Sequence, residues 1–211
     1  MIVRHEFEEL IVRSLSGPLP GVESQYAIAP MSRSLFSSEE IRARNPRIAA
    51  VLAAFVFKKN LPHLVLIKRQ EYPGAHSGQI SFPGGRVEEG ETLEMAAIRE
   101  TEEEIGVSRS EFRLLGSLTD LYIPVSNFQV FPFVGIFDSA PNYIPDQVEV
   151  NSVLEVPLTH FLDPANRVER EVSGKTFKLK VPAYTCEQDI IWGATAMMIS
   201  ELAGLISANA K

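Results

Sequence analysis

The sequence predicts an α/β domain, and three observations carry that prediction. Apolar, strand-like segments, led by the run Ile48–Phe57, are interleaved with helical patterns along the chain. Two segments, 93–105 and 194–208, contain no proline and are rich in helix formers. No repeat, low-complexity tract or interdomain linker divides the 211 residues, a length that suffices for one sizeable core, or one core with appendages.

The elements follow in order. Phe7, Leu10, Ile11 and Leu15 recur at helical spacing, which predicts a short amphipathic helix over residues 5–15. From Ser16 to Pro46 the chain is rich in Pro, Ser and Gly and reads as an irregular arm wrapping the domain. The expected division is therefore a helix and arm over 1–46 and the main α/β domain over 47–211. Arg47 to Phe57 reads as a buried strand, Asn60-Leu-Pro as a turn, and His63 to Arg69 as the returning strand. Gln79 to Phe82 is a short strand leading into Pro83-Gly84-Gly85, where Pro-Gly and Gly-Gly signal a tight turn.

Thr92 stands at a helix-capping position and Gly106 at a C-terminal stop, which frames a helix over Leu93–Ile105. Phe112–Ile123 and Phe128–Phe137 read as two strands, and Val148–Val156 as a third, followed by a short helix from Pro157. Val168–Val172 and Thr176–Leu179 pair plausibly across Ser173-Gly-Lys. Asp189–Trp192 is extended, and Ala194–Ala208 closes the chain as an amphipathic helix with Trp192 beneath it in the core.

Composition narrows the function classes. Hydrophobic content of 45% and charged content of 22% are those of an ordinary globular protein. A net charge of −7 argues against a general nucleic-acid-binding surface, although bound cations reverse a local field and leave nucleotide substrates open. The N-terminal residues show no signal-peptide apolar block, and no window approaches the ~20 apolar residues a membrane helix needs, so the default expectation is a cytoplasmic protein that engages no membrane. Cys186, the single cysteine, excludes an intrachain disulfide and fits a buried residue in a reducing compartment. Three roles are open to the N-terminal arm: covering a site, mediating a homodimer, or packing on the sheet.

The chemistry concentrates in 85–107. Glu100, Glu103 and Glu104 stand at i, i+3 and i+4, so a helix puts their carboxylates on one face, while Ala97, Ile98, Thr101 and Ile105 share another. Like charges so arranged repel, and hard divalent cations with oxygen ligands offset them best. A solvated acidic helix face is the plainer alternative, and charge alone does not decide between the two. Arg99 lies beside Glu103 and within reach of Glu91, where a guanidinium orients carboxylates by bidentate bonds. Glu102 points away from the cluster.

These residues resemble the Nudix box, G-x5-E-x7-R-E-U-x-E-E-x-G-U, with U a bulky aliphatic residue. Gly85, Glu91, Arg99, Glu100, Glu103, Glu104, Gly106 and Val107 fill their positions, and Thr101 replaces an aliphatic residue. The resemblance implies the α/β/α sandwich of the Nudix fold, with a mixed central sheet. It also implies a Mg²⁺- or Mn²⁺-dependent pyrophosphohydrolase acting on a small nucleotide substrate. By the same resemblance Glu100, Glu103 and Glu104 are metal ligands, together with a Gly84 or Gly85 carbonyl, while Glu103 or Glu104 alternatively holds the nucleophilic water. Arg99 and Glu91 belong to the catalytic set.

The preceding segment, Val65 to Gly85, resembles the signature of coenzyme A pyrophosphatases, L-L-T-x-R-[SA]-x3-R-x3-G-x3-F-P-G-G. Arg69, Gly78, Phe82, Pro83, Gly84 and Gly85 match it, whereas Ile67, Gln70 and Gly74 depart. Segments around 126–135, 149–158, 181–184 and 191–196 extend the likeness. It implies a coenzyme A-like substrate cleaved to 4′-phosphopantetheine and adenosine 3′,5′-bisphosphate, contacted by Arg69, His76 and Gln79, with Glu149 as an additional ligand or base. A Nudix hydrolase of ADP-ribose or dinucleoside polyphosphates is the enzymatic alternative, and a nucleotide-sensing module without catalysis is another.

Overall fold

The computed structural model describes residues 3–73, 76–173 and 178–209. Helix α1 (Arg4–Leu15) buries Phe7, Leu10 and Ile11, the stripe its spacing predicts. The arm after it is more regular than expected. It contains α2 (Gly21–Tyr26) and α3 (Ser38–Ala43), each six residues long. A capping box starts α3: the Ser37 hydroxyl accepts from the Glu40 N–H at 3.2 Å and Glu40 accepts from the Ser37 N–H at 2.7 Å.

The long central strand β1 (Arg47–Lys58) turns through Lys59 and Asn60, both at positive φ, into β2 (Leu61–Arg69). Two short strands follow, β3 (Ile80–Ser81) and β4 (Gly84–Arg86), and then α4 (Leu93–Ile105). Next come β5 (Phe112–Ser117), β6 (Leu121–Ile123), β7 (Phe128–Phe137), β8 (Val150–Pro157) and α5 (Leu158–Leu162). The chain ends through β9 (Arg167–Ser173), β10 (Lys178–Cys186), β11 (Asp189–Trp192) and α6 (Gly193–Asn209).

Among the described residues, eight strands form one sheet in the order β3-β2-β1-β7-β5, with β4 beside β1, β6 beside β7 and β8 beside β2. It is mixed: β1 and β7 run parallel, whereas β1 pairs antiparallel with both β2 and β4. A second sheet, β11-β10-β9, is antiparallel. Alternation along β1 feeds both faces of the large sheet. Ala50, Leu52, Ala54 and Val56 pack with Ala96, Ala97 and Ile105 of α4. Ala49, Ala53 and Phe55 face the other way, into a cluster with Phe7, Ile11, Met198 and Leu202 of α1 and α6. The result is the expected α/β/α sandwich.

Four expectations are corrected. Gly84 and Gly85 are not a turn but strand β4, with Gly85 opposite Ala50 and Gly84 opposite Val51. Their lack of a side chain is needed for close packing. A Cβ on Gly84 would lie 2.4 Å from the Ala50 carbonyl oxygen, and one on Gly85 2.4 Å from the Glu100 carboxyl carbon. The single strand expected over 112–123 is two, β5 and β6, because the chain breaks step with β7 at Thr119, which bonds Glu201 instead.

Helix α6 is not amphipathic. Met197 through Leu202 are buried in unbroken succession, since α1, α2, α5 and the second sheet together enclose it. Within that run Glu201 is 0% exposed and accepts four hydrogen bonds, from Gly21 N–H (3.2 Å), Gln25 Nε2 (2.8 Å), Thr119 N–H (3.1 Å) and Thr119 Oγ1 (2.6 Å). Trp192 is only half-buried and lines a cleft rather than the core. Val172 and Leu179 do pair, across the two strands expected there, while residues 174–177 lie outside the described set. No helix among the described residues is long and apolar enough to cross a membrane.

Candidate active site

Local sequence sets α4 in place before any tertiary contact is counted. The Thr92 hydroxyl accepts from the Met95 N–H at 3.2 Å, and Gly106 ends the helix in the left-handed conformation at φ 68°. Thr101, the departure from the aliphatic pattern, is 0% exposed and satisfies its hydroxyl by donating to the Ala97 carbonyl at 2.7 Å. The buried stripe of Ala97, Thr101 and Ile105 locks the helix against β1, and this turns the glutamates towards β4.

The three carboxylates then meet three different environments. Glu104 is buried, accepting the Gly84 N–H at 2.8 Å and Arg69 Nη1 at 3.2 Å. Burial pushes its carboxyl up to about 7 despite those two favourable contacts. Glu100 is largely enclosed, and burial raises its pKa against the pull of Arg99. Glu103 is exposed.

Arg99 organises the outer part of the cluster. Its Nε and Nη2 grip the Glu91 carboxylate at 2.9 and 3.1 Å, and its Nη1 donates to Glu100 and to Glu103, each at 2.9 Å. A further bond, Nη2 to the Arg86 carbonyl at 3.1 Å, anchors it to β4. The grip holds Glu91 below the usual carboxylate range and keeps Arg99 charged. Glu102, expected to point away, does so and accepts from the Arg109 N–H at 2.7 Å.

Residues outside the helix complete the surroundings. Arg69, at the end of β2, reaches Glu104 and also comes within 3.7 Å of Glu149, in the turn before β8. His76 adopts positive φ (68°) with its Nδ1 3.0 Å from Gln79 Oε1. Arg69, His76, Gln79, Gly84, Gly85, Glu100, Glu104 and Glu149 all line one cleft of about 1610 Å³. Gly74, one of the departures from the coenzyme A signature, lies outside the described residues. Lys68 forms an ion pair with Asp189 at 2.7 Å that ties β2 to the second sheet.

The donor set fits a hard divalent cation by its chemistry: carboxylate oxygens at helical spacing, with a strand backbone that approaches Glu100 too closely for any side chain. Glu104 carries a charge its two partners do not fully compensate. Among the described residues no three His, Cys, Asp or Glu side chains already converge as a ligand set, because Arg99 engages Glu91, Glu100 and Glu103 while Arg69 and Gly84 engage Glu104.

Sequence reasoning passed over other cleft residues, namely Arg33 on the arm, Arg47 opening β1 and Arg86 on β4. No spacing signal joins them, since they come together only through sheet register and the path of the arm. Glu201 left a legible sign, a lone acid within the apolar run of 194–208.

The NUDIX domain profile matches residues 46–172. A relative from Escherichia coli O7:K1, "Uncharacterized Nudix hydrolase NudL", is 35% identical over 160 residues, spanning 75% of this chain and 82% of its own length. One of the same description from Klebsiella pneumoniae is 35% identical over 168 residues, covering 79% and 86%. Among solved structures, the Nudix hydrolase RenU from M. smegmatis superposes with a TM-score of 0.53 at 13% identity, covering 86% of this chain and 94% of RenU. The MutT/nudix family protein of Enterococcus faecalis gives a TM-score of 0.52 at 16% identity, covering 98% of this chain and 76% of that one. At such identities these two structures speak for the fold.

Proposed function

The chain belongs to the Nudix hydrolase family, and from that premise we propose that it cleaves the pyrophosphate of coenzyme A or a coenzyme A derivative, with Mg²⁺ or Mn²⁺ as cofactor. The observation that carries the reading is the α4–β4 pairing. It sets Glu100 and Glu104 against the two glycines of β4, in the wall of a cleft large enough for a nucleotide, with the exposed Glu103 beside them on the same helix face. The likeness of residues 65–85 to the coenzyme A pyrophosphatase signature supports the substrate.

In this reading Glu100, Glu103 and Glu104 would hold the cation, with the Gly84 and Gly85 carbonyls. A divalent ion there supplies charge neutralisation for the phosphate oxygens and acidifies water. The chain's own residues do the remaining work. Arg99 keeps Glu91, Glu100 and Glu103 in fixed rotamers, so the carboxylates are oriented before substrate arrives. Glu103 or Glu104 alternatively holds the attacking water, and whichever does so would receive its proton. Arg69, already at the cleft end of β2, donates to a phosphate oxygen, and His76 and Gln79 border the leaving group. Glu149, beside Arg69, would serve as an additional ligand or base.

Incubation of the full chain with Mg²⁺ or Mn²⁺ and coenzyme A, ADP-ribose or a dinucleoside polyphosphate, with products weighed by mass spectrometry, tests the reading. Release of 4′-phosphopantetheine and adenosine 3′,5′-bisphosphate at the highest kcat/KM is the expected result. Faster cleavage of ADP-ribose would displace the substrate, and no metal-dependent cleavage of any of the three would displace the enzyme reading in favour of nucleotide sensing.

A further inference from the structure

Three arginines share the cleft with Glu100 and Glu104 and have no carboxylate within 4.0 Å among the described residues: Arg33, Arg47 and Arg86. Sheet register puts two of them together. Arg86 pairs with Ala49, so Arg47, two residues back on the same face of β1, is its diagonal neighbour at about 7–8 Å. The Arg47 guanidinium lies over the Phe128 ring, 4.1 Å from its centroid, and donates to the Ser126 carbonyl at 2.8 Å.

Arg33 arrives from the arm onto the same β6–β7 hairpin. Its Nη2 donates to the Tyr122 carbonyl at 2.6 Å, and Tyr122 pairs with Gln129, the neighbour of Phe128. Its Nε is buried without a partner, and so is the Ser126 hydroxyl in the same cleft wall. Buried polar atoms are rarely left unmatched, and two donors so left beside unpaired guanidinium groups call for an acceptor.

Three cations crowded without counter-charge repel one another, and an anion that takes several N–H forks at once relieves this best. The scissile pyrophosphate belongs to the opposite end, at Glu100. Gly85 lies opposite Ala50, three residues or about 10 Å along β1 from Arg47 and on the α4 face of the strand, and the cleft reaches both faces past the β4 edge. An arginine side chain and one ribose ring span that gap together.

We propose that Arg33, Arg47 and Arg86 form a subsite for a phosphate monoester on the substrate's nucleoside, separate from the pyrophosphate that is cleaved. The proposal rests on the hydrolase reading above and adds a specificity rule to it. The arm is then a wall of the substrate site that selects nucleotides bearing a second, terminal phosphate. ADP-ribose and dinucleoside polyphosphates carry none and leave these cations unpaired.

The deciding measurement is calorimetric binding of adenosine 3′,5′-bisphosphate and adenosine 5′-monophosphate to the full chain with divalent ions chelated. The bisphosphate is expected to bind about tenfold tighter, an advantage that Arg33→Gln and Arg47→Gln each remove and Arg47→Lys partly keeps. Equal binding of the two nucleotides by the unaltered protein overturns the subsite, as does an advantage that survives both substitutions. If Arg33→Gln loses its thermal midpoint, Arg47→Gln decides. Turnover of coenzyme A, run alongside, separates the two ideas. Cleavage without a bisphosphate advantage removes the subsite and keeps the hydrolase. An advantage without cleavage removes the coenzyme A reading and keeps the subsite.

Discussion

Glu104 and Glu201 are both buried glutamates, 3% and 0% exposed, yet the fold treats them in opposite ways. Glu201 accepts four hydrogen bonds, from three residues that lie on two segments, with no Lys or Arg side chain among its partners. Glu104 has one backbone N–H and one arginine, and burial outweighs both, lifting its carboxyl to about 7. A saturated carboxylate joins pieces of structure. An undersupplied one at a cleft wall is held ready for something else, and perturbed ionisation of this kind marks functional sites more often than structural ones.

Substitution can break this contrast, and the largest effect is expected at Glu104. Glu104→Gln should lower kcat by at least about 10²-fold while leaving the thermal midpoint level or higher, because an uncompensated buried charge is removed. A lowered midpoint with intact turnover would make Glu104 a second Glu201. Next is Gly84→Ala, whose new Cβ meets the β1 backbone and moves the N–H away from Glu104. A loss of about 2–4 kcal/mol is expected in urea unfolding, and a shift under about 0.5 kcal/mol would mean the strand yields without strain.

Glu201→Gln reverses the pattern. An amide oxygen can replace Oε1, which accepts three of the four bonds, but its NH2 then faces the Gln25 Nε2 donor, so about 1–3 kcal/mol of stability should be lost while kcat at low temperature stays within about twofold. The smallest effect is a labelling rate. Cys186 is buried in the same cluster as α6, and burial pushes its thiol up to about 11, so alkylation of the native protein at pH 8 should be slow. It should quicken in Glu201→Gln and not in Glu104→Gln. Equal rates in the two variants would show that Glu201 does not hold this region closed.

How much of this was legible in the sequence depended on how local the cause was. The bounds of α4 follow from Thr92 and Gly106, and Arg99 reaching Glu103 follows from helix geometry alone. The Ser37–Glu40 capping box was equally local, though the prolines and serines around it disguised α3. Gly84 and Gly85 misled because Pro-Gly and Gly-Gly signal turns, whereas here Gly84 answers the close approach of β1, 33 or more residues away in sequence, and Gly85 that of the Glu100 carboxylate. Helix α6 reads as amphipathic by itself. The N-terminal helices, distant in sequence, and the second sheet, which leads directly into α6, bury its remaining side. The convergence of Arg33, Arg47 and Arg86 is set by register and arm path, which no short-range pattern encodes.

The hydrogen bond from Gly21 to Glu201 joins residues 180 positions apart. On the ribosome that separation is a delay of about 10–40 s at ordinary elongation rates. Throughout it α2 has been made, but the carboxylate that accepts from its Gly21 and Gln25 has not. Protease pulses on stalled nascent chains should therefore cut within the arm until Glu201 emerges. Arg33 finds its Tyr122 carbonyl about 80 residues earlier, so the arm is secured in two stages, its cleft wall first and α2 last.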